Sequence, residues 1–184
     1  MILLRHGQSE FNLHFTRDRR DPGIADPGLT PLGRIQAGQA AEALADTGLK
    51  RLIVSPYTRA LQTAAVLARR LGLTVIINPV VRERYAFTCD VGTPRTGLET
   101  AWPELDFAAV DEVWWPPAEE SLPSLLDRAA LFRADMAARP DWSDTLVVCH
   151  WGFILAMTGE SIGNGEWRRC DPTQPAPRGV SLDH

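Results

Sequence analysis

Short apolar runs punctuate this chain, and each one stops at a polar cluster. Met1-Ile2-Leu3-Leu4, Leu52-Ile53-Val54, Leu73-Thr74-Val75-Ile76-Ile77 and Thr145-Leu146-Val147-Val148-Cys149 are short, continuous and largely aliphatic. Runs of this kind are strands buried on both faces of a sheet. The stretches between them carry helical periodicity. Thr30 as an N-cap with Pro31 at the first helical position predicts a helix through the alanine-rich segment up to Gly48. From about Tyr57, Leu61, Ala64, Ala65, Ala68 and Leu71 share one helical face, closed by Gly72. Leu122, Leu125, Leu126, Ala129, Phe132 and Met136 repeat at three- and four-residue steps, an amphipathic helix that ends before Pro140. Phe153 to Met157 opens another.

Strands alternating with helices predict an α/β fold of three layers, α/β/α, around a mostly parallel sheet. Three stretches stand outside that alternation. Residues 13–28 are polar, with Pro22, Gly23, Pro27 and Gly28, and read as a surface loop. Residues 85–120 carry Thr93-Pro94, Trp102-Pro103 and Trp114-Trp115-Pro116-Pro117 and read as an irregular insertion lying over one face of the sheet. The tail from about 163 is rich in Gly, Pro and Arg and reads as loose and superficial. At 184 residues, the whole 1–184 span is expected to be a single domain.

Composition narrows the function without naming it. A net charge of −4 argues against nucleic-acid or anionic-membrane partners, so any anion site must be built locally from a few arginines. No apolar run approaches the roughly 18 residues that cross a bilayer. The three cysteines, Cys89, Cys149 and Cys170, form no CxxC pair, and so sparse a set reads as reduced thiols in a cytoplasmic protein.

The chemistry gathers at the strand ends. In a parallel sheet the ligand sits beyond the carboxyl ends of the strands. Arg5-His6, Ser55-Pro56 leading to Arg59, Glu83 after Val80-Val81, and His150 all lie at or just past such an end. A neutral imidazole attacks phosphorus without first losing a proton, and covalent catalysis divides one hard displacement into two easier ones. The transferring phosphoryl group carries its charge on equatorial oxygens that arginine forks are suited to hold. His6 is thus the candidate nucleophile, with Arg5 and Arg59 as its cations. Asn12 and the backbone N–H groups after Gly7 are further neutral donors. His150, protonated, would add another donor and keep His6 neutral by repulsion. Glu83 is the candidate acid and base because it alone among the acids follows directly from a strand run. Asp90, Glu99, Glu104, Glu119 and Glu120 in the insertion are weaker alternatives.

Leu4-Arg5-His6-Gly7-Gln8-Ser9 with Asn12 resembles the signature of the histidine phosphatase superfamily, the phosphoglycerate-mutase-like proteins. The likeness continues through Leu29-Thr30-x-x-Gly33, Ser55-Pro56-x-x-Arg59-Ala60-x-x-Thr63-Ala64 and Val148-Cys149-His150, in the family's order over residues 1–157. The resemblance implies a phosphorylated His6, a phosphate pocket of Arg5, Arg59 and His150, a phosphate contact at Asn12, and an acid at Glu83. It implies no metal and no cofactor. The acid-phosphatase-like branch carries Asp directly after the second histidine. Trp151 stands there, which places the chain with the mutase-like branch. A small residue is more usual at that position. The Trp151 N–H still suits phosphate, while its ring would narrow the pocket or stack on substrate.

The expected function is therefore a phosphomonoesterase that hydrolyses a small phosphorylated metabolite. The alternatives are a phosphoglycerate-type mutase, or a non-catalytic phosphate- or phosphoprotein-binding regulatory domain. The oligomeric state stays open. Trp114-Trp115 read equally as core packing or cleft lining, and Arg95 as a loop cation or a second anion contact. His14 and His184 match no motif and read as idle and exposed. The charge run Arg17 to Asp21 reads mainly as a solvated loop, with rimming of the pocket entrance as the lesser reading.

Overall fold

The computed structural model describes residues 1–182, and His184 lies outside the described residues. Five strands form its sheet: β1 (Ile2–Arg5), β2 (Arg51–Val54), β3 (Thr74–Ile77), β4 (Thr145–Cys149) and β5 (Trp167–Arg169). Their order is β3-β2-β4-β1-β5. β1, β2, β3 and β4 pair in parallel, and β5 closes the β1 edge antiparallel. The helices are α1 (Glu10–Asp18), α2 (Pro31–Ala43), α3 (Thr58–Leu71), α4 (Arg95–Ala101), α5 (Leu122–Ala137) and α6 (Trp151–Thr158).

The two-residue period of the strands divides the core between the sheet's faces. Ile2, Leu4, Leu52, Val54, Leu146 and Val148 pack toward α2 and α3. Met1, Leu3, Ile53, Val147 and Cys149 pack toward α5 and α6. This is the three-layer α/β/α architecture the alternation predicts. β4, the last parallel strand in sequence, is inserted between β1 and β2, and all five of its residues are buried.

Several predicted boundaries move. The segment read as a loop over 13–28 begins as α1. Ser9 caps it, accepting from the Asn12 N–H while Asn12 Oδ1 accepts from the Ser9 N–H at 3.0 Å. This reciprocal cap uses Asn where Glu or Gln is the readable signal. α2 stops at Ala43 rather than at Gly48, because the chain turns at Leu44 and Gly48 takes a positive φ of 70° beyond it. The insertion holds α4 and the 3-10 turn Thr88–Asp90. Its Leu98, Phe107, Val110 and Trp114 join the core of the α2/α3 side of the sheet. The tail is less loose than expected. β5 pairs with β1 through Ile2–Arg169 and Leu4–Trp167, and Arg5 N–H donates to the Glu166 carbonyl at 3.0 Å.

Candidate active site

The loop after β1 is clamped by backbone-to-backbone approach. A Cβ on Gly7 would lie 2.3 Å from the Gly33 carbonyl oxygen, and one on Gly33 would lie 2.1 Å from that of Gln8. Only glycine at both positions lets the first turn of α2 press against this loop. Thr63 of α3 holds it from below, its hydroxyl accepting from the Gly7 N–H at 3.1 Å and donating to the Arg59 carbonyl at 2.8 Å. The motif pieces around Gly33 and Thr63 thus serve one purpose, fixing the loop that carries His6.

His6 is 3% exposed. Its Nδ1 lies 2.7 Å from the Gly7 carbonyl oxygen. A carbonyl only accepts, so Nδ1 carries the ring proton and Nε2 keeps its lone pair. Burial, then the charges of Arg59 and Arg5, hold the imidazole pKa well below its usual value. His6 is consequently neutral at physiological pH.

The cations around it are fixed by different means. Arg5 at the end of β1 donates through Nη1 to the Ile162 carbonyl at 2.7 Å. Arg59 in the first turn of α3 is 3% exposed and donates to the Cys89 carbonyl at 2.8 Å and to Asp90 Oδ1 at 3.0 Å. Its guanidinium stacks on the Tyr57 ring, 4.3 Å from the centroid. Asp90 is itself buried, and its Oδ2 accepts from the Ala86 and Phe87 N–H groups.

His150 caps α6 just beyond β4, with its ring centroid 5.0 Å from that of His6. It is fully buried behind His6, and its Nε2 shares a 2.8 Å hydrogen bond with the Ser55 hydroxyl. Its pKa is depressed well below the usual value by burial first and then by Arg59 and His6. The ring is therefore neutral in the free protein, in contrast to the protonated donor expected from the sequence. Among the described residues, His150 Nδ1 and Arg5 Nε are buried polar atoms without a hydrogen-bond partner. Such atoms are costly unless a ligand satisfies them.

Glu83 follows the 3-10 turn Pro79–Val81 after β3. Its Oε1 accepts from the Arg84 N–H at 2.8 Å and from the Gly152 N–H at 3.0 Å. A Cβ at Gly152 would come within 2.6 Å of that oxygen, so the carboxylate's seat requires glycine there. Desolvation, reinforced by Asp90, raises the Glu83 pKa above the ordinary carboxylate range against the lowering by Arg84, Arg59 and Arg5.

Arg5, His6, Arg59 and Glu83 line one cleft of about 280 Å³ together with Asn12, Trp151 and Asn164, while His150 lies buried beside His6. Asn12 Oδ1 is occupied by Ser9 and by Asn164 Nδ2, leaving its own amide nitrogen as the donor for a ligand. Trp151 donates its indole N–H to the Ser161 hydroxyl at 2.8 Å. The sequence reading did not single out Asn164, which ties the His6 carbonyl to Asn12, or the full role of Asp90. Of the other acids, Glu120 is paired with Arg128 and Arg82, and Glu119 with Arg84. Arg95 pairs with Glu99 and Glu112, and Trp114 packs edge-on against Tyr57 in the core, so neither faces the cleft. Arg19, from the charge run after α1, does reach it.

A cleft with an oriented imidazole, two arginines and a buried carboxyl of raised pKa holds the groups that phosphoryl transfer requires. The chain belongs to the histidine phosphatase superfamily, branch 1, whose family model matches residues 1–177, and it is a phosphatase of that class. It is 32% identical over 172 residues to glucosyl-3-phosphoglycerate phosphatase of Mycolicibacterium vanbaalenii, covering 89% of this chain and 74% of that protein. It is 30% identical over 169 residues to a protein of Enterobacter sp. named "Probable phosphoglycerate mutase", covering 88% of this chain and 74% of that one. A mycobacterial glucosyl-3-phosphoglycerate phosphatase solved with inorganic phosphate superposes with a TM-score of 0.62 at 26% identity, covering 91% of this chain and 86% of that one. Among the described residues, no helix is long and apolar enough to cross a membrane.

Proposed function

We propose that the chain hydrolyses a small phosphomonoester through a phosphohistidine on His6. The observation that carries this reading is the His6 tautomer: Nδ1 is committed to the Gly7 carbonyl, so Nε2 is the free nucleophilic atom. In the first step Nε2 forms the N–P bond as the ester P–O bond breaks. Arg5 and Arg59 hold the equatorial oxygens. A neutral His150 whose Nε2 accepts from Ser55 would carry its proton on Nδ1, making that unpartnered atom a further donor to phosphate. Asn12 Nδ2 and the Trp151 backbone N–H complete the cradle.

Glu83, with its raised proton affinity, donates to the departing alkoxide. Its carboxylate then takes a proton from the water that attacks the phosphohistidine, releasing inorganic phosphate and restoring both groups. The substrate is a phosphorylated metabolite. The phosphatase relatives named for glucosyl-3-phosphoglycerate favour a phosphorylated carboxylic acid derivative. The mutase-named relative favours, as a second reading, return of the phosphoryl group to another hydroxyl.

Incubation of the purified protein with a chromogenic aryl phosphate tests this reading. Release of inorganic phosphate that disappears in His6→Ala supports it, and undiminished release in His6→Ala ends it.

A further inference from the structure

The inner half of the cleft accounts for phosphate, and its outer half has a different chemistry. Phe11 and Phe15 lie one turn apart on α1 and stack at 5.0 Å with planes 17° apart. Phe87 leans on both, at 5.5 and 5.1 Å. Phe11 is buried in this trio, while Phe15 and Phe87 remain half-buried and line the cleft. Half-exposed aromatic rings inside a cleft, rather than scattered on the surface, are apolar area held for a ligand. Arg19 stands at their edge, with its guanidinium 5.7 Å from the Phe15 centroid. Among the described residues no acid pairs with it, although it lines the same cleft.

This wall is rigidly joined to the phosphate pocket. The Phe87 N–H donates to Asp90 Oδ2 at 3.1 Å, while Asp90 Oδ1 holds Arg59. The next residue, Thr88, donates its N–H to Asp21 Oδ2 at 2.8 Å, which ties the wall to the segment after α1. One buried carboxylate therefore sets the spacing between the phosphate-holding cation and the aromatic surface. A fixed spacing of this kind is what a selective site needs.

We propose that Phe15 and Phe87, with Arg19 at the rim, form a leaving-group subsite for a ring-bearing phosphomonoester that carries an anionic substituent. The cavity of about 280 Å³ leaves room beside the phosphoryl group for one ring rather than a folded protein surface. The ring face stacks on Phe15 and Phe87, and the anion meets Arg19. This rests on the hydrolase reading above and narrows its substrate class.

The test compares ethyl, benzyl and 4-carboxybenzyl phosphate, whose leaving groups are all primary alkoxides, so that differences report binding rather than intrinsic reactivity. Ratios of kcat/KM taken on one preparation are independent of its active fraction. Wild-type protein is expected to prefer benzyl over ethyl phosphate by about tenfold, the scale of a stacked aromatic contact. Phe15→Leu and Phe87→Leu, which keep apolar bulk, should each shrink that ratio several-fold. Arg19→Gln should shrink only the carboxybenzyl-to-benzyl ratio, and salt should mimic it. Release of phosphate from ethyl and benzyl phosphate at equal efficiency, or ratios unmoved by these variants, overturns the subsite alone. Release from none of the three overturns the hydrolase reading beneath it.

Discussion

Arg59 and Asp90 form an ion pair at 3.0 Å with side chains only 3% and 2% exposed. Arg59 Nη1 also donates to the Cys89 carbonyl, and Asp90 Oδ2 accepts from the Ala86 and Phe87 N–H groups, which leaves other guanidinium N–H groups for phosphate. Hydrogen bonds of this kind around both charges are what make a buried pair tolerable. Its consequence is positional: Arg59 is fixed before any anion arrives, so little conformational freedom is lost when phosphate binds.

Removing the carboxyl by Asp90→Ala leaves a buried guanidinium unpaired, which destabilises the protein by about 3–5 kcal/mol. Asp90→Asn keeps the shape and loses the charge. It should fold, with KM for phosphomonoesters raised more than kcat is lowered if Arg59 mainly grips the ground-state phosphate. Steady-state kinetics of the Asn variant alongside a urea titration check both statements.

Glu83→Gln removes the transferable proton and keeps the hydrogen-bond acceptor facing Gly152. Alkyl phosphates, whose alkoxides leave poorly, should slow by about 10²–10⁴-fold, and nitrophenyl phosphate far less. Because the Glu83 pKa is raised, the wild-type first step should weaken as pH rises through that elevated value. The alkaline limb of single-turnover phosphoryl transfer should flatten in the Gln variant. Equal losses for good and poor leaving groups would remove Glu83 from proton transfer.

Stability should also depend on pH through the two histidines. The imidazoles of His6 and His150 are depressed by burial and neighbouring cations, so the unfolded chain binds their protons first. Stability is then full above the unfolded histidine pKa of about 6.5 and falls as pH drops below it. Glu83 acts oppositely, since its raised pKa costs stability once it ionises in the unfolded chain. Urea midpoints between pH 7.5 and 5 should fall for wild type and fall less for His150→Gln.

Gly33→Ala places a Cβ 2.1 Å from the Gln8 carbonyl oxygen, a backbone atom that cannot swing aside. The loop bearing His6 must shift, at a cost of about 1–3 kcal/mol. Activity should fall even where the protein stays folded, and thermal melting with parallel kinetics separates the two effects.

Much of the architecture was legible because strand runs such as Leu52–Val54 and helix caps such as Thr30-Pro31 are local signals. α1 is hard to read because the shorter Asn12 stands where the usual capping box has Glu or Gln, and the polar run up to Pro22 and Gly23 reads as loop. β5 was missed because Trp167-Arg168-Arg169 alternates no hydrophobic face, as a short charged edge strand need not. Arg5, His6, Arg59, Glu83 and His150 are readable from motif and strand-end position; the first four line the cleft, and His150 lies buried with its ring centroid 5.0 Å from that of His6. Asp90, Asn164 and Gly152 act through contacts distant in sequence, and no local pattern announces such contacts. The neutral state of His150 follows from its depth behind His6, which sequence does not give.

The covalent step on His6 is tested most directly by rapid quench. Wild-type protein mixed with a phosphorus-labelled phosphomonoester and quenched in alkali should retain close to one acid-labile phosphoryl group per chain. Peptide mapping should place it on His6 Nε2, and Glu83→Gln should prolong its lifetime. Phosphate release at the full rate with no label on His6 at any quench time would contradict the account.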